Sequence, residues 1–324
     1  MRRVDWDGLN EFSDTYTCYS AAIAAWVAHD HDDWPSRVNP GLALTVLSAG
    51  DGLFGFVHFP PTLRAELGLV RRQADVAAAE AEVLEELARS GQVIVAGDGF
   101  RLPWHVAHGR RHVPHWYVLS GAPDRLEVID PFACRNELGV QESTRVKLAR
   151  ADLPELLVGL GGGDPVLELR ERLALGDDLQ PQSGTCRWFV HDEVTDSRAP
   201  QGAERDQGVR ELARHFRAHG QEREAYAQAD DIWSIARHRA FLARHGARVA
   251  TQRADAELAS WVQEHAETLA KRWSHMAPLL MQATLSLGAG RSASASVPDA
   301  LDELAAREQE ASQAFPKGLD VGSI

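Results

Sequence analysis

Tyr16-Thr-Cys-Tyr-Ser-Ala-Ala-Ile-Ala-Ala-Trp-Val-Ala-His29 is the stretch on which the reading of the fold turns. From Ala21 to Ala28 it has no glycine, no proline and no polar side chain except the Trp26 indole. It therefore reads as a helix buried on most sides rather than a surface helix with one apolar stripe. Cys18 falls in the first turn of that helix. A thiol there meets backbone N–H groups that lack helical partners and the positive end of the helix dipole, both of which favour the thiolate and lower a cysteine pKa. That is a nucleophile's position, although a lone cysteine is more often a small buried hydrophobe.

Three β-rich runs downstream bear on the choice. Gln92–Gly99, His115–Ser120 and Arg125–Pro131 are each bounded by Gly, Pro or Asp, as successive strands are. His115 opens the second run, and Asp130 sits near the end of the third. A hairpin across Gly121–Asp124 places both at one end. A helix-borne thiol, an imidazole on a strand and a carboxylate on the next strand make up the layout of a cysteine protease-like site. His112 competes for the imidazole role. His115 is preferred because it abuts a strand that holds its ring, whereas His112 lies in a Gly/Arg-rich approach.

Cys18 before an apolar helix, Val93-Ile-Val-Ala-Gly-Asp-Gly-Phe-Arg-Leu-Pro-Trp104, His112-Val-Pro-His115 running into Trp-Tyr-Val-Leu-Ser-Gly, and Val128-Ile-Asp-Pro131 together resemble the N-terminal domain of the butirosin biosynthesis protein H family. The resemblance covers residues 10–150. That family is similar to papain-fold cysteine enzymes and to the peptidase domains that remove double-glycine leaders. It implies acyl transfer from a carrier-protein thioester to an amine, with natural-product biosynthesis as the setting. The phosphopantetheine then arrives on the partner as substrate, and the enzyme needs no cofactor of its own. The glutamine of a papain-type oxyanion hole has no counterpart upstream of Cys18, where Asn10, Ser13, Asp14 and Thr15 are the polar candidates.

Composition narrows the alternatives. The chain has 324 residues, 44% hydrophobic and 25% charged, which suits one large or two modest globular domains. A net charge of −13 leaves no basic surplus to neutralise nucleic-acid phosphates. No run approaches a membrane span, and Met1-Arg-Arg-Val-Asp-Trp-Asp7 lacks a signal peptide's apolar segment, so a cytoplasmic location is expected. Three widely spaced cysteines fit a reducing compartment, with Cys134 and Cys186 structural.

Along the chain, residues 1–15 read as a polar lead-in. His29-Asp-His-Asp-Asp-Trp34 reads as a turn after the helix, because no third metal ligand accompanies His29 and His31. Pro40–Ala49 reads as an apolar helix or strand, and Gly50-Asp-Gly-Leu-Phe-Gly-Phe56 lacks phosphate-loop spacing and its lysine. An amphipathic helix is predicted over 73–90, closed by Gly91. Helix over 147–157, capped near Asp152, and strand over Val166–Leu169 follow. Asp177–Gln201 carries linker composition. Beyond Glu204, helices are predicted over Arg210–His219, Ala229–His245, Ala254–Leu287 and Val297–Ala314, anchored by Trp233, Phe241, Trp261 and Trp273, and Lys317–Ile324 reads as a frayed tail.

The expected organisation is α+β. A papain-like domain spans 1–176, a connecting segment 177–203, and a mostly helical domain 204–324 packs against the first and shapes the acceptor site. Cys18, His115 and Asp130 are the expected catalytic residues. Asp98 is either a turn-former between two glycines or a pocket residue that orients an amine. Arg101, Arg110 and Arg111 form a basic patch that either suits a phosphopantetheine phosphate or an acidic carrier protein or is simply a solvated loop. Tyr19 and Trp104 complete the expected substrate-binding set. An acyl or peptidyl carrier protein and a small-molecule amine are the expected partners, with no nucleic acid, membrane or metal, and a homodimer is a candidate assembly. Two rivals stand beside this reading: a cysteine peptidase or amide or thioester hydrolase with the same three residues, and a catalytically silent protein that binds a carrier or peptide.

Overall fold

A computed structural model describes residues 4–39, 41–42, 44–50, 52–57, 67–160, 164–175, 184–191 and 205–316. Helices run over Trp6–Glu11 (α1), Cys18–Ala28 (α2), Trp34–Val38 (α3), Val76–Ser90 (α4), Leu153–Leu157 (α5), Pro165–Leu175 (α6), Arg205–His219 (α7), Ala229–Arg253 (α8), Ala256–Trp261 (α9), Glu267–Gly288 (α10) and Ser296–Gln313 (α11). Strands run over Thr45–Gly50 (β1), Leu53–Val57 (β2), Leu69–Asp75 (β3), Gln92–Asp98 (β4), Pro114–Ala122 (β5), Arg125–Asp130 (β6), Cys134–Asn136 (β7), Gly139–Gln141 (β8), Thr144–Leu148 (β9) and Thr185–His191 (β10). The protein is α+β. Among the described residues no helix is long and apolar enough to cross a membrane.

Two compact units divide the chain: Met1–Val38 with Pro61–Ala199, and Asn39–Pro60 with Pro200–Ile324. The first is built on a six-stranded antiparallel sheet in the order β3-β10-β4-β5-β6-β9. Helix α2 lies against β4, β5 and β6. Every residue from Ser20 to Ala28 is buried, and five of these are alanines, which let helix and sheet approach closely. Trp116 of β5 meets the Tyr19 ring edge-on at 5.4 Å, and Gln92 Nε2 donates to the Trp26 carbonyl at 2.9 Å. Alternate residues Val93 and Val95, Tyr117 and Leu119, and Leu126 and Val128 pack instead with Val83, Leu84 and Leu87 of α4 and with Leu153, Leu156 and Leu157 of α5. Each such side chain contributes roughly 1.5–3 kcal/mol on burial, so packing rather than intrinsic propensity holds α4.

Several expectations are corrected. Helix α4 begins only after Asp75, whose carboxylate caps it by accepting from the Ala78 N–H at 3.0 Å; the residues before it form β3, whose Arg71, Arg72 and Gln73 disguise a strand. The strand expected over Val166–Leu169 is helix α6. Asp164 Oδ1 accepts from the Val166 and Leu167 N–H groups at 3.0 and 3.2 Å, and Pro165 supplies a first helical residue with preset φ. Residues 144–148 are strand and 150–152 a tight turn, so the helix expected from 147 starts at Leu153. The expected connecting segment contains β10, which pairs with both β3 and β4. Apart from Gly184, its remainder and Lys317–Ile324 lie outside the described residues.

The second unit is not a sequential C-terminal domain, because the β1–β2 hairpin belongs to it. Gln228 clamps that hairpin with its side-chain amide, accepting from the Phe54 N–H at 2.6 Å and donating to the Phe54 carbonyl. Ala254, at φ 53°, ends α8, and the stretch read as one helix from 254 is helical from Ala256 to Gly288, with a π turn over Val262–Ala266 where α9 passes into α10. Phe241, Trp261 and Trp273 are buried as expected; Trp233 is half-buried, with the Arg237 guanidinium 4.5 Å above its ring. At the unit's centre Arg239 and Glu308, 0% and 1% exposed, form a bidentate pair at 2.8 and 3.1 Å. Trp273 Nε1 donates to Glu308 at 2.8 Å, and Arg239 also donates to the Gly41 and Leu42 carbonyls. Every charge there has a hydrogen-bonding partner, as a buried pair requires.

Candidate active site

Cys18 is the first residue of α2 because of a local device. Thr17 Oγ1 accepts from the Ser20 N–H at 3.2 Å while Ser20 Oγ accepts from the Thr17 N–H at 2.9 Å, a reciprocal cap that starts the helix at the thiol. The Ser20 N–H is thereby used, and the Ala21 N–H goes to the Thr17 carbonyl. The Cys18 N–H, at the first helical position, has no acceptor in the helix ladder.

Two antiparallel strands bring the other two residues together. His115 is the second residue of β5, and Asp130 is the last residue of β6. Adjacent antiparallel strands put the start of one beside the end of the next. His115 Nε2 lies 2.7 Å from Asp130 Oδ2, with the side chains 1% and 0% exposed. Asp130 engages Nε2, which leaves Nδ1 as the nitrogen that can serve Cys18, the other side chain that favours the charged imidazole. Burial opposes charge on His115, but the Asp130 carboxylate and then the Cys18 sulfur outweigh it and raise the imidazole to about 10.

Asp130 is heavily supported. Its Oδ2 also accepts from Trp104 Nε1 at 2.9 Å and from Gln141 Nε2 at 3.3 Å, and its Oδ1 accepts from the Phe132 N–H at 3.2 Å. Trp104 thus directs its indole N–H at Asp130, with its ring edge-on to Tyr117 at 5.4 Å. Gln141, which the sequence reading did not single out, arrives through the short β7–β8 hairpin; no local motif marks it. The Ser13 carbonyl accepts from the Ala133 N–H at 3.1 Å, tying the segment before Cys18 to the segment after Asp130.

The segment 98–113 is an Ω-like loop closed at its neck. The Gly99 N–H donates to the Val113 carbonyl at 2.8 Å, and Asp98 Oδ1 accepts from the Phe100 and Val113 N–H groups at 3.0 and 3.3 Å. His112 Nδ1 lies 2.5 Å from Asp98 Oδ2, with its ring stacked on Phe100. Of the two readings of Asp98, the geometry is that of the turn-former, since both carboxylate oxygens serve their own loop. His112 belongs to this clasp, while His115 is the histidine that reaches Asp130.

The three arginines each have a partner. Arg101 pairs with Glu155, Arg111 with Glu137 at 3.3 Å, and Arg110 donates to the Leu138 carbonyl at 2.6 Å. Of the polar residues before the thiol, Thr15 donates its hydroxyl to the Phe12 carbonyl at 2.7 Å, and Asn10 accepts from Ser143. Cys186 is fully buried, and burial, then the nearby Asp75 charge, pushes its thiol up to about 11; Cys134 is half-buried in β7. His29 caps the end of α2 with its Nδ1 2.8 Å from Asp30.

A scan against protein-family models and a search of curated proteins each give no match to this chain.

Proposed function

We propose that this protein is a cysteine-dependent acyltransferase that forms an acyl-Cys18 intermediate and passes the acyl group to an amine. The observation that carries the reading is the buried His115–Asp130 pair together with a thiol at a helix N-terminus whose sulfur favours the charged form of that imidazole. A buried antiparallel pair of strands carrying His115 and Asp130 beside that helix is what a papain-like arrangement requires. In the first step Cys18 Sγ attacks a thioester carbonyl, the donor's sulfur departs, and His115 Nδ1–H protonates it. In the second step an amine attacks the acyl-cysteine, His115 takes the amine's proton, and Cys18 leaves as thiolate. Asp130 holds Nε2–H throughout and supports the imidazolium. The Cys18 N–H supplies one donor to the developing oxyanion.

Donor and acceptor classes rest on the family resemblance of residues 10–150: a carrier-protein thioester and a small-molecule amine. Exposed ion pairs exchange partners at little cost, so Arg101 and Arg111, with Arg110, can turn to a phosphopantetheine phosphate. The test is intact mass spectrometry of the full chain with acylated carrier protein and a panel of amines. An acyl adduct on Cys18 followed by amide product is expected. Hydrolysed acyl group or cleaved peptide with every amine makes the protein a hydrolase, and no adduct makes it a binding protein. Iodoacetamide supplies an independent check: near neutral pH Cys18 should react at least about tenfold faster than Cys134 or Cys186, and His115→Ala should remove the difference.

A further inference from the structure

The reaction outlined above leaves one buried histidine of the site without a task. His105 lies in the 98–113 loop with its ring centroid 4.3 Å from that of His115, at 63°. Phe132 lies 5.6 Å from the same imidazole, at 58°. Two rings contributed by two separate segments thus lie against His115. The His105 ring is itself fixed. Its Nδ1 accepts from the Ala107 N–H at 3.0 Å, which makes Nε2 the protonated nitrogen of a neutral ring. It also sits directly on Gly99, where a Cβ would come within 2.7 Å of Nδ1 and 2.8 Å of Cε1. Burial, and then the charge of His115, pushes His105 down to about 2, in keeping with the neutral ring that the Ala107 contact requires.

We propose, resting on the acyltransferase reading, that His105 is a positioning residue: its latched, uncharged ring forms with Phe132 a slot that holds the His115 imidazole in the one plane serving both Asp130 and Cys18. An imidazole can satisfy Asp130 through Nε2 while rotated out of line with the thiol. A slot walled by rings removes that freedom and keeps water off the imidazolium. Among the described residues, the titratable groups facing His115 are Asp130 from β6, Cys18 from α2 and His105 from the loop; Trp104 and Gln141, which donate to Asp130, are uncharged.

The test is the rate of Cys18 alkylation by iodoacetamide in the full chain at pH 6 and pH 9.5, for wild type, His105→Ala, His105→Gln and His105→Phe. At pH 6 the thiolate depends on a well-placed imidazolium, whereas at pH 9.5 hydroxide supplies it regardless. His105→Ala and His105→Gln should lose about tenfold at pH 6, the equivalent of one pH unit, and stay within about twofold of wild type at pH 9.5. His105→Phe refills the slot with an uncharged ring and should keep the wild-type profile. The glutamine variant retains an acceptor for the Ala107 N–H, so it reports on the ring even if the alanine variant unfolds. An unchanged rate at pH 6, an equal loss at both pH values, or a phenylalanine variant as slow as the others at pH 6 overturns the role of His105. Wild-type Cys18 reacting no faster than Cys134, or indifferent to His115→Ala, instead overturns the acyltransferase reading.

Discussion

Asp130→Asn separates charge from shape in the site. The substitution is nearly isosteric at a position with 0% exposure, so packing is conserved. Three donors converge on Oδ2, from His115, Trp104 and Gln141, so the asparagine oxygen must occupy that position. Its NH₂ group then faces the Phe132 N–H that Oδ1 now accepts, donor against donor. One buried donor loses its partner, at a cost of about 1–3 kcal/mol. The larger effect is on His115. Its rise from 6.5 to about 10 corresponds to a net preference for the charged form on the order of 5 kcal/mol, and Asp130 is the first of the groups producing it. Because the folded value is raised, this stabilisation is fully present below the unfolded midpoint near 6.5 and is lost as pH climbs through about 10. Wild type should therefore lose stability between those limits, and Asp130→Asn should show little of that loss. Urea unfolding at pH 6, 8 and 10 measures the first effect. Alkylation of Cys18 from pH 5 to 9 measures the second: wild type should stay reactive toward acid, while the variant's rate should fall by at least about tenfold at pH 6 through loss of the imidazolium. Superimposable alkylation profiles would refute the idea that Asp130 sustains a charged His115.

Trp104→Phe keeps the ring against Tyr117 but removes the N–H at 2.9 Å from Asp130, so a loss of about 1–2 kcal/mol in urea unfolding is expected, with Cys18 still the fastest-alkylating cysteine. Glu308→Ala strands a fully buried Arg239 and an indole N–H, which should cost about 3–5 kcal/mol; Arg239→Met with Glu308→Leu should recover most of that, as thermal unfolding of the two variants will read.

Much of the site was legible because its signals are local. An apolar helix read as buried on most sides is buried from Ser20 onward, and Cys18 at its start needs only the helix boundary, which the Thr17–Ser20 cap draws. His115 and Asp130 could be placed at one end of a hairpin because strand pairing across a short turn brings the start of one run beside the end of the other. Their 2.7 Å contact follows from that register.

What local signals lack is any record of which groups meet across long sequence separations. Trp104 and Gln141 lie in segments whose polar composition reads as loop, and only the folded chain aims both at Asp130, 26 and 11 residues away. Asp164, as a helix cap, turned a Val-Leu-Glu-Leu tetrad that suits a strand into the start of a helix, because a short run has no periodicity strong enough to resist its cap. The strand at Thr185–His191 was hidden by the loop-like composition around it, and its place between β3 and β4 depends on pairing with residues about a hundred positions upstream. The hairpin of residues 45–57 joins the helical unit for the same reason, since its clamp, Gln228, is 174 residues from Phe54. Sequence by itself determined the helix, the thiol and the strand-borne imidazole and carboxylate, each set by neighbours within a few residues. Tertiary structure alone decided what surrounds them, because hydrogen-bond satisfaction and ring packing are properties of space rather than of order along the chain.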